Sequence, residues 1–306
     1  MEFDLFKAAE ERMHAGVAAA MHEYDPDFLA RMLPLMERYT SWFDAEVRGL
    51  DRLPPKEEGP FLLVGNHSGG ALTPDTSAFF CAWYRERGLD DPFVGLAFNL
   101  AFALEPMARF FQRLGEVPAS MDNAEAALAA GYPVLVYPGG DYDTFRPWSE
   151  RNRIDFDGRK GFVRLALRQG VKVVPVVGHG GHETLIVLSR GDRIAARMGL
   201  DRLNTKIFPF AAGPFGITPA MIGPQLPLPA KITVEVGDPI DWNLLDLGPD
   251  SVDDDEIVQE CYDEVVETMQ AMLDALAAEH PSPLAEGVAS KLRAAARWRS
   301  NGSADT

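Results

Sequence analysis

Cysteine is scarce: only Cys81 and Cys261 occur in 306 residues, far apart and outside any metal-ligand spacing. A disulfide scaffold is thereby excluded, and a reducing compartment fits. Long apolar runs are missing too. No stretch reaches the roughly 18 uncharged apolar residues that a spanning helix needs. The start, MEFDLFKAAEERMHAG, is charged and lacks the apolar core of a signal peptide. The expectation is a cytoplasmic protein, soluble or peripheral on the inner face of the membrane. A basic excess is also absent, the formal net charge being −17. That acidity is local: residues 233–290 hold 16 Asp and Glu and neither Lys nor Arg, which leaves the remainder near neutral. With no face set aside for a phosphate backbone, nucleic acid is excluded as a partner.

What is present is enough apolar residue, 46 %, to build a sizeable core. Short β-type runs alternate with helical patterns: Phe61 to Val64, Pro133 to Tyr137 and Val171 to Val177 against Asp75 to Arg87 and Arg159 to Arg168. This alternation predicts an α/β fold, a mainly parallel mixed sheet flanked by helices. An N-terminal helical hairpin and a C-terminal acidic helix are expected to flank it. Three regions follow: residues 1–50 helical, 51–245 the α/β domain, and 246–306 the acidic helix with a basic tail. Two apolar stretches stand apart. Phe98 to Phe111 reads first as a buried core helix and second as a lipid-facing wall. Ile207 to Pro229, rich in Pro, Gly and Phe, reads as a long apolar loop, uncommon unless it binds something.

The chemistry-bearing stretch is FLLVGNHSGGALTPDTSAFF, residues 61–80. It runs from a strand through Asn66, His67, Ser68, Gly69 and Gly70 into a helix start at Thr73-Pro74-Asp75. A histidine near its ordinary pKa takes a proton from a hydroxyl at neutral pH, and a carboxylate behind it fixes the ring and stabilises the cation. The paired glycines give the loop freedom to bring Asp75 back to the ring. Ser68 lacks the Gly-x-Ser-x-Gly elbow of a serine hydrolase. His179-Gly180-Gly181-His182-Glu183 is a loop without an evident third ligand, so no metal is expected; His182 is read as substrate-lining.

The segment GNHSGGALTPD resembles the first signature block of the glycerolipid acyltransferase superfamily, the lysophospholipid acyltransferases related to bacterial 1-acylglycerol-3-phosphate acyltransferases. Tyr137-Pro138-Gly139-Gly140 is similar to the Pro-Gly-Gly turn of the diacylglycerol acyltransferase branch. Arg159-Lys160-Gly161 with its helix, and Val173-Val174-Pro175-Val176, resemble the blocks that follow. The resemblance implies acyl transfer from acyl-CoA or acyl carrier protein to a glycerolipid hydroxyl, with no bound cofactor. It implies His67 as general base, Asp75 as its orienting acid, and Gly139 and Gly140 as oxyanion donors. Asn66, Ser68, Gly69, Gly70, Pro138 and Asp141 would line the substrate site. The sequence departs from the family in three places. Seven residues separate His67 from Asp75, a longer gap than usual. Gly139 replaces an acidic residue, for which Asp141 is a substitute. Glu116 and its neighbours stand where phosphate-acceptor enzymes carry an arginine. Arg146, Arg151, Arg159 and Lys160 remain as phosphate contacts, unless the acceptor is neutral. A thioesterase or lipid esterase, or a lapsed lipid-binding protein, are the alternatives. If the Asp75 carboxylate lies well beyond about 3.2 Å from the His67 ring, Asp141 or Asp143 takes its place.

Overall fold

The computed structural model describes residues 2–198, 207–213, 215–221 and 225–302. Ten strands are described: β1 Glu46–Arg48, β2 Leu62–Gly65, β3 Val94–Ala97, β4 Glu116–Pro118, β5 Val134–Val136, β6 Val173–His179, β7 Ile186–Ser189, β8 Phe210–Gly213, β9 Gly216–Pro219 and β10 Thr233–Val236. The helices are α1 Glu2–Met13, α2 Val17–Glu23, α3 Pro26–Thr40, α4 Pro74–Arg87, α5 Glu105–Arg113, α6 Met121–Ala129, α7 Gly140–Thr144, α8 Gly161–Gln169, α9 Asp192–Met198, α10 Asp255–Glu279 and α11 Pro283–Gly302.

Seven strands form one sheet in the order β1-β10-β6-β2-β5-β3-β4. From β6 through β2, β5 and β3 to β4 every pairing is parallel, whereas β10 runs antiparallel to β6 and parallel to β1. The fold is therefore α/β with a mainly parallel mixed sheet, as the alternation of elements predicts. A separate three-stranded antiparallel sheet, β7-β8-β9, draws its strands β8 and β9 from the stretch that reads in sequence as a long loop. Residues 214 and 222–224 of that stretch, and 199–206 before it, lie outside the described residues.

Side chains alternate between two layers. Leu62 and Val64 of β2 point into a core made with α6, α8 and α10, while Phe61 and Leu63 point into one made with α3 and α4. Both layers are needed because a parallel sheet is apolar on both faces. The start of the chain is not a helical hairpin. It comprises three helices, α1, α2 and α3, because Asp25 caps a new helix by accepting from the Phe28 N–H at 2.8 Å, and Pro26 follows as its first residue. β1 then joins the main sheet beside β10. The acidic α10 contributes Val265, Met269, Leu273 and Leu276 to the first core, all at most 1 % exposed, so it is an integral wall of the domain. Its acids lie on the outer side.

The stretch after β3 is not a buried helix. Phe98, Leu100, Leu104 and Met107 are 62, 62, 65 and 45 % exposed, and only Phe102 and Ala108 turn inward. Because β2, β3 and β5 are mutually parallel, the loop after β3 emerges at the same edge of the sheet as the His67 loop after β2.

Truncating Leu273 to Ala removes contacts from a fully buried site shared by α10 and the sheet, at a cost of about 2–5 kcal/mol. Urea denaturation should show one cooperative transition at lower midpoint. A separate early transition for the C-terminal helix would contradict its place in the shared core.

Candidate active site

The Asn66-His67-Ser68 tripeptide leaves β2 and is tied to three different elements. Asn66 Nδ2 donates to the Gly178 carbonyl at 2.9 Å and its Oδ1 accepts from the Gly178 N–H at 2.8 Å, fixing the loop to β6. The His67 N–H donates to Asp143 Oδ2 at 2.6 Å. The Ser68 N–H and hydroxyl both donate to Asp75 Oδ2 at 2.8 Å. Asp75 reaches this position because Gly69, Gly70 and Thr73 all adopt left-handed backbone, with φ of 83, 69 and 38°. Thr73 is the costly member, since a β-branched residue rarely takes that conformation. A Cβ at Gly69 would collide with the Pro74 ring, so glycine is required there.

The His67 ring stacks on Tyr137, centroids 4.3 Å apart at 22°. The Tyr137 ring lies over Gly65, where a side chain would occupy the same space. Thr76 Oγ1 donates to the Tyr137 hydroxyl at 2.9 Å and lies 3.5 Å from His67 Nδ1. The His67 side chain keeps 16 % of its surface exposed, enough to be approached from the sheet edge. Burial lowers its pKa to about 4, against an upward pull from Asp143. At neutral pH the ring is uncharged and able to accept a proton.

Asp75 is not hydrogen-bonded to that ring. Its Oδ1 lies 3.9 Å from His67 Nδ1, and instead accepts from the Thr76 N–H at 2.7 Å. Burial raises Asp75 to about 6 against the hydrogen bonds from Ser68 and Thr76. Asp141 does not reach His67 either; its Oδ1 accepts from the Tyr142 N–H at 2.9 Å and lies 3.5 Å from Arg159.

Several expected contacts are structural. Asn66 and Ser68 are 4 and 1 % exposed and spend their polar atoms on the fold, so neither is free for substrate. The Gly140 N–H donates to the Tyr137 carbonyl at 3.0 Å, which removes it as an oxyanion donor in this conformation. Gly139 instead lets the chain pass Asp143, whose Cβ a side chain at 139 would strike. Arg146 is no solvated phosphate contact: it is fully buried, and its Nη2 donates to Asp143 Oδ1 at 2.6 Å and to the Asp155 carbonyl at 2.9 Å. Its Nη1 is buried without a partner. Arg151 pairs with Glu183 at 3.0 Å, and Arg159 donates to the carbonyls of Pro138 and Gly139 at 3.2 and 3.0 Å. Lys160 precedes α8 and stays partly exposed. His182 is buried and held well below the ordinary histidine range, first by burial and then by the charges of Arg146 and its neighbours.

Tyr137 and Thr76 carry no role in the sequence motifs themselves; their signal there is proximity, since Thr76 follows Asp75 and Tyr137 opens the Pro-Gly-Gly turn.

Residues 44–178 match the family model described as Acyltransferase. An uncharacterized protein of Mycobacterium tuberculosis is 31 % identical over 253 residues, which cover 82 % of this chain and 67 % of that one. The diacylglycerol O-acyltransferase 2B of Umbelopsis ramanniana is 25 % identical over 162 residues, covering 51 and 45 % respectively. The crystal structure of the 1-acyl-sn-glycerophosphate acyltransferase of Thermotoga maritima superposes with a TM-score of 0.44 at 18 % identity, over 81 % of this chain and 80 % of that one. The chain belongs to the acyltransferase family, within the glycerolipid acyltransferase superfamily.

Placing Ala at Gly65 would push the Tyr137 ring off its seat and with it the stacked His67. An aromatic contact of this kind contributes about 0.5–1.5 kcal/mol, so Gly65→Ala should fold, show near-native circular dichroism, and lose about two- to tenfold in turnover. Unchanged turnover would mean that the stack does not orient the histidine.

Proposed function

We propose that the protein transfers a fatty acyl group from a thioester donor, acyl-CoA or acyl carrier protein, to a lipid hydroxyl, with His67 as general base. The observation that carries this is the His67 ring, 16 % exposed at the carboxyl edge of the parallel strands. It is neutral at physiological pH, stacked on Tyr137, and flanked by two carboxylates. In this reading the acceptor hydroxyl gives its proton to the ring, and its oxygen attacks the thioester carbonyl. No covalent intermediate on the enzyme is needed. With the Gly140 N–H committed to the Tyr137 carbonyl, Gly139 is the remaining one of the two oxyanion donors expected from sequence.

The charges favour a neutral acceptor. Arg146, Arg151 and Arg159 are each engaged by internal acceptors. Glu116 of β4, standing where the phosphate-acceptor enzymes that the chain resembles carry an arginine, offers an anionic headgroup no cation. The relatives that include a diacylglycerol O-acyltransferase and phytyl ester synthases of Arabidopsis thaliana support acylglycerols or long-chain alcohols as acceptors. Incubation with labelled acyl-CoA and a panel of monoacylglycerol, diacylglycerol, long-chain alcohol and lysophosphatidic acid tests this. The neutral acceptors should be acylated and lysophosphatidic acid should not. His67→Ala should lower transfer by about 10²- to 10⁴-fold with the fold retained. Wild-type transfer by that variant would defeat the assignment.

The exposed Phe98, Leu100 and Leu104 beside the site, with Leu72, Ile217 and Leu226 also exposed, are suited to a membrane surface carrying the acceptor. No helix among the described residues is long and apolar enough to cross a membrane. Replacing Phe98, Leu100 and Leu104 by Ser should abolish flotation with phosphatidylcholine vesicles while preserving acylation of a detergent-dispersed acceptor. Flotation unaffected by the triple change would remove this surface from the proposal.

A further inference from the structure

We propose that Asp143, clamped by the buried guanidinium of Arg146, is the positioning residue of the site. It fixes the His67 main chain and supplies the standing negative charge that faces the imidazolium formed during transfer. The inference rests on the acyl-transfer reading with His67 as base, and it assigns to Asp143 the role that the sequence gives to Asp75.

Three observations carry it. First, the pair is sealed: the side chains of Arg146 and Asp143 are 0 and 1 % exposed, and their closest contact is 2.6 Å. Second, the two carboxylate oxygens are divided between tasks. Oδ1 accepts from Arg146 Nε and Nη2, and Oδ2 accepts from the His67 N–H. Packing against Gly139 keeps the carboxylate from swinging away, since even a Cβ there would meet it. Third, Asp75 is already saturated. It takes donors from the Ser68 N–H, the Ser68 hydroxyl and the Thr76 N–H, and its nearest approach to the ring is 3.9 Å. A carboxylate with three donors of its own and no cation beside it holds a loop. A carboxylate locked to an arginine and to the histidine main chain holds a charge in place.

The groups around His67 come from every neighbouring element: Asp75 and Thr76 from α4, Tyr137 from the exit of β5, Asp143 from α7, Arg146 just beyond it, and His182 after β6. Of these, Asp143 is the one whose charge raises the histidine against its burial. The transfer balances without any change in Asp143. The hydroxyl proton moves to His67, the new C–O bond forms as the C–S bond breaks, and the proton leaves with the thiolate to give a free thiol. Asp143 neither gains nor loses a proton.

The test uses two variants of the full chain. Asp143→Asn keeps an oxygen for the His67 N–H and removes the charge. Asp143→Asn with Arg146→Met removes the charge without leaving a buried cation unpaired. Both are compared with wild type in the pH dependence of kcat/KM on soluble enzyme with native near-ultraviolet circular dichroism. Loss of the facing charge should lower kcat by about 10- to 100-fold at pH 7 with KM little changed, because the cation exists only in the transition state. The same loss makes His67 harder to protonate, so the acid limb should move down, by about one pH unit. A residue that merely supports the fold would reduce the yield of folded enzyme and leave the limb where it was. Wild-type kcat and an unmoved limb in whichever variant folds would overturn the inference. His67→Ala separates the two readings. If it keeps its turnover, the base assignment has failed; if it loses turnover while the Asp143 variants behave as wild type, only the present inference has failed.

Discussion

A buried carboxylate must be satisfied or it takes up a proton, and the candidate site is arranged around that constraint. Two carboxylates sit under one short loop. Asp75 is satisfied by Ser68 and the start of α4, and Asp143 by Arg146 and the His67 N–H. Neither touches the imidazole through a hydrogen bond. Together with the reciprocal Asn66 and Gly178 bonds they immobilise the backbone on both sides of His67. The ring is then oriented by stacking on Tyr137 and by the nearby Thr76 hydroxyl. Orientation is achieved through the main chain and an aromatic face, where a catalytic triad would use a carboxylate on the ring.

The topology explains why this loop can be so rigid and still be reached. β2 is central, with β6 on one side and β5 on the other, so its C-terminal end can be tied to elements on both flanks. Open parallel sheets bind ligands outside the carboxyl ends of their strands, and β2, β5 and β6 all end there. The apolar surface after β3 emerges at the same edge. A polar, desolvated centre and an apolar rim thus share one side of the molecule, which is the arrangement a lipid substrate with a reactive hydroxyl requires.

Much of this was legible in the sequence, for identifiable reasons. β2, β5, β6 and α4 followed from apolar runs and a Pro-Asp helix start, because those signals are local. The Phe98 to Phe111 stretch reads first as core and second as an outward wall because apolar composition does not say which side faces water, and here most of the large residues face out. Arg146 read as a solvated cation, although Asp143 three residues earlier is the spacing at which helical neighbours meet. The gap between His67 and Asp75 hid the largest correction. Its folding depends on three departures into left-handed backbone, at Gly69, Gly70 and Thr73, and no propensity predicts a threonine there.

The low pKa of His67 sets a requirement on its surroundings. A ring whose protonation burial has pushed to about 4 is always in the accepting form at neutral pH, yet it is a weak base in its resting state. It becomes useful only if the cation is stabilised as it forms, and water is largely excluded from supplying that help. The charge must therefore be installed in advance and kept ionised. Asp75 is raised to about 6 by burial and has only neutral donors, from Ser68 and Thr76, to oppose it. Burial raises Asp143 as well, but there the Arg146 guanidinium and the His67 N–H pull the other way, and a buried ion pair of this kind is more readily explained by the field it maintains than by its net contribution to stability.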